Sequence, residues 1–368
     1  MTPSRASLAK IPSLSALSPV TVSGPVSHLN SHHRRSSTLR VFAPRLRPSA
    51  RRTRTPTLIA SRKFSDSARR CEVKEVGDAR IKGLGKEIKD TYAYVRDRYD
   101  APKYPVVLAH GLLGFAELKL AGSYLPPIHY WRGIKEALCA QNIEVITTSV
   151  PPSGSIAQRA AKLAEGIEAH AQGRSVNIVA HSMGGLDARY MISHLKPKGV
   201  DVKSLVTVAT PHHGSAVADY IIKEIGPENL SRLYNLWKRT TGWDHDAFDQ
   251  LTRKYMIEQF NHSIPDDPVV RYFSYGAMLV EKPPLLSPFR VSHKLLNHLE
   301  GPNDGLVSVQ SSQWGTYKGT LLGVNHLDLI NWSNRLRFAV RKWLGKRQSF
   351  NAIAFYLDIA DMLAKEGL

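Results

Sequence analysis

Short apolar runs alternate along the chain with stretches in which apolar residues return every three or four positions. Tyr104–Ala109, Ile143–Thr148, Val176–Val179, Ser204–Ala209, Tyr272–Ala277 and Thr320–Val324 are runs of strand length. Between them, Tyr130–Gln141 has helical spacing. So does Ser155–Ala171, where Ile156, Ala160, Leu163 and Ile167 share a face and Ser155 suits an N-cap. A helix is also expected from Gly185, with Leu186, Tyr190, Ile192 and Leu195 apolar, and another over Leu329–Leu344. The tail Phe350–Leu363 is amphipathic, suited to pack on the domain or on a membrane. Strands alternating with helices predict an α/β fold, a mostly parallel sheet with helices on both faces.

Two stretches break the alternation. From Ala216 to Pro268 three apolar helical segments follow one another: Val217, Tyr220, Ile221 and Ile225; then Leu230–Trp237; then Phe248, Leu251, Tyr255, Met256 and Phe260. They are inserted beside the C-terminal strand edge, where α/β sheets place their sites, and are expected to form a cap or lid over about 216–268. Earlier, Ile88, Tyr92, Val95 and Tyr99 are spaced for one face of a short helix, preceded by Gly77, Gly83 and Gly85. No apolar run is long enough to span a bilayer, so any membrane contact is expected to be peripheral.

Charge changes the picture at the N-terminus. The chain of 368 residues carries a net +19, yet the first 70 residues hold 14 of the 50 Lys and Arg and one of the 31 acids, Asp66. Most of the basicity therefore belongs to a leader rich in Arg, Ser, Pro and Thr. That composition suits a mitochondrial transit peptide better than a secretory signal or a nucleic-acid-binding arm, because it has no continuous apolar core and no regular aromatic interleaving. Arg62-Lys63-Phe64-Ser65 resembles a matrix-processing site, with cleavage after Phe64. The two cysteines, Cys71 and Cys139, have no metal-site spacing and build no disulfide framework; Cys139, beside Leu138, is expected to be packed.

The candidate chemistry gathers after the strands. Ser175–Leu195 reads as strand, tight corner and helix, with Ser182 at the corner: a nucleophile elbow. Small residues two before and two after the serine let the backbones meet; here they are Ala180 and Gly184. A serine hydroxyl needs a base, and the base needs an orienting acid. His326, after the last strand, is the expected base and Asp304, in a Gly/Pro-rich loop, the expected acid; Asp328, Glu300 and Glu281 are rival acids. The backbone N–H groups of Met183 and Leu112 are the expected oxyanion donors. His110, His181, His212 and His213 fall near the same edge without zinc-ligand spacing and are expected to hydrogen-bond loop backbones.

His110-Gly111-Leu112-Leu113-Gly114, Ala180-His181-Ser182-Met183-Gly184-Gly185, Ala209–Ser215, Asn303-Asp304-Gly305-Leu306-Val307 and His326-Leu327-Asp328 occur in this order. Together they resemble the α/β-hydrolase true lipases, the bacterial family I branch and its fungal mitochondrial relatives. The resemblance covers about residues 104–345. It implies Ser182 as nucleophile, Asp304 as acid, His326 as base, Leu112 and Met183 as oxyanion donors, and a lid after Ser215. It also implies a structural calcium with Asp328 as one ligand, but Trp332 stands where a glutamine is expected and no second aspartate is clear upstream of Asp304.

The expected organisation is a transit peptide over 1–64, a linker over 65–103, an α/β-hydrolase catalytic domain over 104–346 and a C-terminal helix over 347–368. The expected activity is hydrolysis of triacylglycerol and diacylglycerol esters at a membrane or lipid-droplet surface in mitochondria, with no cofactor and no nucleic acid. The alternatives are a phospholipase, thioesterase or acyltransferase on the same triad, or an inactive lipid-binding hydrolase fold.

Overall fold

The central strands of the sheet bury both faces, and their alternate residues feed two different cores. The strands are β1 (Glu87–Ile88), β2 (Val106–Ala109), β3 (Glu117–Leu118), β4 (Ile128–His129), β5 (Val145–Thr147), β6 (Ser175–His181), β7 (Asp201–Val208), β8 (Arg271–Met278) and β9 (Thr316–Leu322). Seven of them form a parallel sheet in the order β1-β9-β8-β7-β6-β2-β5, and β3 and β4 form a small antiparallel pair. The computed structural model describes residues 83–112, 117–118, 128–152, 154–225, 246–285, 287–332 and 350–368. All of them lie in one unit, Glu72–Leu368.

Val106 and Leu108 of β2 join one apolar cluster, Val107 and Ala109 the other. That is the period-2 alternation of a strand between two helical layers. On one face lie α1 (Ile134–Ala140) and, from the far end of the chain, α9 (Ala352–Lys365); on the other, α2 (Ile156–Ala171) and α3 (Gly184–Tyr190), which widens into a π turn at Met191–Leu195. Ser155 caps α2 through a reciprocal capping box with Gln158.

The chain builds β2, moves outward to β5, then returns to β6 on the other side of β2. The direction of winding reverses between β2 and β6, so a crevice opens at their C-terminal ends. His110 follows β2 and Ser182 follows β6, which puts both at this switch point.

Several elements differ from the sequence expectations. Residues 88–99 form no helix. Ile88 instead joins the sheet edge opposite Leu321, because the outer side of β9 offers unpaired backbone groups; Thr320 N–H donates to Lys86 O at 2.8 Å. Tyr92 and Tyr99 are buried, whereas Val95 is exposed. The residues from 83 are thus part of the sheet's packing, not a linker. Helix α1 starts at Ile134, after Gly133 at φ 74°, and its register turns Leu138 inward and Cys139 outward, so the thiol is exposed rather than packed.

The tail helix α9 is buried along most of its length. Phe355, Tyr356, Leu357, Ile359 and Leu363 sit in the core beneath the sheet, which answers the choice between domain and membrane. The helix expected over Leu329–Leu344 is seen only as a 3₁₀ turn at Asp328–Ile330; residues 333–349 lie outside the described residues.

In the lid segment, α4 (Ala216–Ile225) forms as expected. Its apolar face is only partly covered: Ala216 and Ala218 are buried, Val217 and Ile221 half-buried, and Tyr220 exposed. Leu230–Trp237 lies outside the described residues. The third segment splits into α5 (Asp246–Gln250) and α6 (Arg253–Tyr255), because Thr252 caps a new start. A π turn at Met256–Phe260 then leads to α7 (Asn261–Ser263). Among the described residues, no helix is long and apolar enough to cross a membrane.

Candidate active site

Ser182 sits at the corner between β6 and α3 with φ 57°, a region in which non-glycine residues are strained. Backbone contacts hold it there. Its N–H donates to Val208 O at 2.9 Å, and its carbonyl accepts from Thr210 Oγ1 at 2.7 Å. The small neighbours are required by space. A Cβ on Gly184 would stand 2.7 Å from the Ala109 and His110 carbonyl oxygens, and one on Gly111 would stand 2.7 Å from Ser182 Cβ. The β2 loop therefore lies directly against the serine, which is itself half-buried.

Asp304 and His326 meet across the end of the sheet. His326 Nδ1 lies 2.7 Å from Asp304 Oδ2, and the His326 N–H donates to the Asp304 carbonyl at 3.1 Å. The other carboxylate oxygen, Oδ1, accepts the Leu306 and Val307 N–H groups at 2.9 and 2.8 Å. Asp304 is fully enclosed, so its charge is held by three donors in place of water. With Nδ1 committed to the carboxylate, Nε2 is the nitrogen of His326 left to act as a base. The His326 ring packs 4.5 Å from the ring of His181, the residue before Ser182. The rival acids have other partners: Glu300 Oε1 accepts the Ala216 N–H at 2.6 Å, and Asp328 Oδ2 accepts the Asn325 N–H at 3.1 Å.

The loop carrying Leu112 is fixed by three buried side chains. His110 Nε2 accepts the Val150 N–H at 3.1 Å, which makes Nδ1 the protonated nitrogen, and Nδ1 donates to Gly111 O at 3.0 Å. Burial, aided by the Arg159 charge, lowers the His110 pKa to about 4, so the ring is neutral. Arg159 donates to His110 O at 2.9 Å and Pro151 O at 2.6 Å, and pairs with Asp187 of α3 at 2.8 Å. Burial pushes Asp187 up to about 6 against the pull of Arg159. Tyr130 Oη accepts the Gly111 N–H at 3.1 Å and donates to His181 Nδ1 at 2.7 Å. Among the described residues, the Leu112 and Met183 N–H groups do not figure among the loop and turn backbone hydrogen bonds.

Tyr130 and Arg159 were not anticipated from sequence. Arg159 left a trace: it falls on the stripe shared by Ile156, Ala160 and Leu163, where a charge has to find a buried partner. Tyr130 left none, since it reaches Gly111 and His181 over 19 and 51 residues.

Known proteins resemble this chain in sequence and in fold. The PGAP1-like alpha/beta domain family matches residues 141–242. Triacylglycerol lipase 2 of Saccharomyces cerevisiae is 37% identical over 318 residues, which cover 74% of this chain and 95% of the yeast protein. The chain belongs to the triacylglycerol lipase family. A triacylglycerol lipase of Pseudomonas fragi is 27% identical over 306 residues, 72% of this chain and 98% of its own. Two crystal structures share the fold: Staphylococcus hyicus lipase, with a TM-score of 0.54 at 20% identity over 74% of this chain and 98% of its own, and mature Bacillus licheniformis lipase BlEst2, with 0.51 at 22% over 69% and 98%. The protein is a lipase, a carboxylic ester hydrolase of the α/β-hydrolase fold.

The bacterial resemblance implied a calcium site in this lipase with Asp328 as one ligand. Asp328 is buried and closes the turn that starts at Asn325, and among the described residues no group of three or more His, Cys, Asp or Glu is placed to hold a metal. Its other edge histidines are bound into the frame. His212 Nε2 lies 3.0 Å from Thr207 Oγ1, and its ring stacks on Trp314 at 5.2 Å. His213 Nδ1 lies 3.4 Å from Ser311 O.

Proposed function

We propose that this lipase hydrolyses triacylglycerol and diacylglycerol by way of an acyl-enzyme on Ser182. Ser182 Oγ attacks the ester carbonyl, and His326 Nε2 takes its proton. Asp304 holds the His326 ring in the tautomer that presents Nε2 and stabilises the imidazolium that forms. The Leu112 and Met183 N–H groups receive the oxyanion. The proton passes to the leaving glycerol oxygen, and water then attacks the acyl-enzyme with His326 again as base. The observation that carries this reading is the Asp304–His326 pair, at 2.7 Å, packed on the residue next to a serine held at φ 57°.

The purified protein is expected to release fatty acid from tributyrin and long-chain triacylglycerol faster than from phospholipid or acyl-CoA, with no release by Ser182→Ala. A preference for phospholipid or acyl-CoA would overturn the substrate class.

The leader supports a mitochondrial address for the same enzyme. Its net +13 over 70 residues and the Arg62–Ser65 sequence suit import and removal of residues 1–64. Residues 1–64 fused to a fluorescent protein are expected to carry it into mitochondria; a fusion that stays in the cytosol would refute this.

A further inference from the structure

We propose that the excursion between β8 and Asp304 is a docking surface for an anionic lipid bilayer, separate from the 216–268 segment. The excursion begins where β8 ends, at the C-terminal edge that carries the site. Its two feet are tied by the Leu279 N–H, which donates to Asn303 O at 2.9 Å. Between them run a loop and α8 (Arg290–Leu299). Most large apolar side chains of the described residues are covered, but here Val280 is 65% exposed, Leu285 78% and Val291 73%. Phe289 and Leu296 are buried and anchor the excursion, so the three exposed residues are not its core. Exposed apolar side chains concentrated in one short stretch mark an interaction site.

The charges around them select the partner. Lys282, Arg290 and Lys294 are exposed beside these residues, against one exposed acid, Glu281. Arg290 Nη1 donates to Pro283 O at 2.9 Å, which folds the loop onto the start of α8 and brings Lys282 and Leu285 toward Val291. Val291 and Lys294, three residues apart, share the outward face of the helix. Apolar side chains interleaved with lysines suit the acyl and phosphate layers of an anionic membrane. Docked this way, the strand edge that holds Ser182 faces the lipid from which the ester must come.

This inference rests on the lipid-ester reading above, and its test separates the two. The full chain is assayed on vesicles carrying diacylglycerol, made of phosphatidylcholine alone or with phosphatidylglycerol, and on a soluble short-chain ester. Wild type is expected to be faster on the phosphatidylglycerol vesicles. Replacing Val280, Leu285 and Val291 together by Ser is expected to lower vesicle hydrolysis about tenfold and leave soluble-ester turnover within about twofold. Lys282→Glu with Lys294→Glu is expected to cost about thirtyfold on the anionic vesicles and little on phosphatidylcholine, since each lysine near an anionic surface is worth about fivefold in binding. Unchanged vesicle hydrolysis in the serine variant overturns the docking surface. Unchanged anionic preference in the glutamate variant overturns its lipid selectivity. Failure of wild type on the diacylglycerol vesicles and on the soluble ester alike would instead overturn the lipid-ester reading itself. The leader is common to all three proteins, so it does not enter the comparison.

Discussion

At the scale of single residues, the site depends on groups that never touch the ester. Tyr130 has one hydroxyl with two tasks: it accepts the N–H of Gly111, next to Leu112, and donates to His181, next to Ser182. Burial keeps the phenol protonated by pushing its pKa upward, and burial together with nearby His326 keeps His181 neutral. Both proposed catalytic loops are therefore held through one oxygen. Tyr130→Phe leaves the Gly111 N–H buried without a partner, which costs about 1–3 kcal/mol of stability. If the proposed oxyanion donors then lose their alignment, kcat on a soluble ester is expected to fall roughly tenfold or more, with KM changed much less. Equal losses in kcat and in folded fraction would reduce Tyr130 to a packing residue. The proposed triad of Ser182, Asp304 and His326 could be picked out of the sequence because each residue stands in a short motif whose order along the chain matters. Tyr130 could not be, since a tyrosine opening a helical pattern is ordinary until the fold brings 111 and 181 to it.

At the scale of elements, the two ends of the described chain stabilise each other. Helix α9 fills a face of the sheet, and the segment leading into β2 wraps it. The Asn351 N–H donates to Tyr92 O and the Lys103 N–H to Leu368 O. Asp361 on α9 accepts from the Asp100 N–H, Arg96 and Lys365. Burial opposes its ionisation, but these three donors outweigh burial and hold its carboxyl at about 2. A carboxyl depressed on folding stabilises above its unfolded pKa, near 4, and loses that contribution as pH falls toward 2. Discounted for the solvent that reaches Arg96 and Lys365, the contribution is about 1 kcal/mol. Asp361→Asn is expected to lower the urea midpoint at pH 7 and to flatten the loss of stability between about pH 4 and pH 2. An unchanged acid limb would show that the cluster contributes nothing.

Periodicity located the strands and α2 well, because burial on both faces leaves long apolar runs. It misread 88–99. There Ile88, Tyr92 and Tyr99 enter one core cluster from a chain that pairs with β9 and then wraps α9, so their spacing imitates a helix without one forming.

At the scale of the whole molecule, the winding of the sheet decides where the chemistry is. The reversal between β2 and β6 brings the Gly111 loop against Ser182, and the crossover to β9 returns His326 to the same edge. The alternation of runs was enough to predict this architecture, since a parallel sheet allows few other places for loops after strands. The 216–268 segment was legible only as an interruption: apolar spacing reports burial but not what is buried against what.

The central claim is that Ser182 is the nucleophile at this edge, and covalent labelling tests it most directly. After reaction with a fluorophosphonate, the digested protein is expected to carry one label, on the peptide containing Ser182, and Ser182→Ala is expected to carry none. A label on any other residue, or undiminished labelling of the alanine variant, would contradict the account.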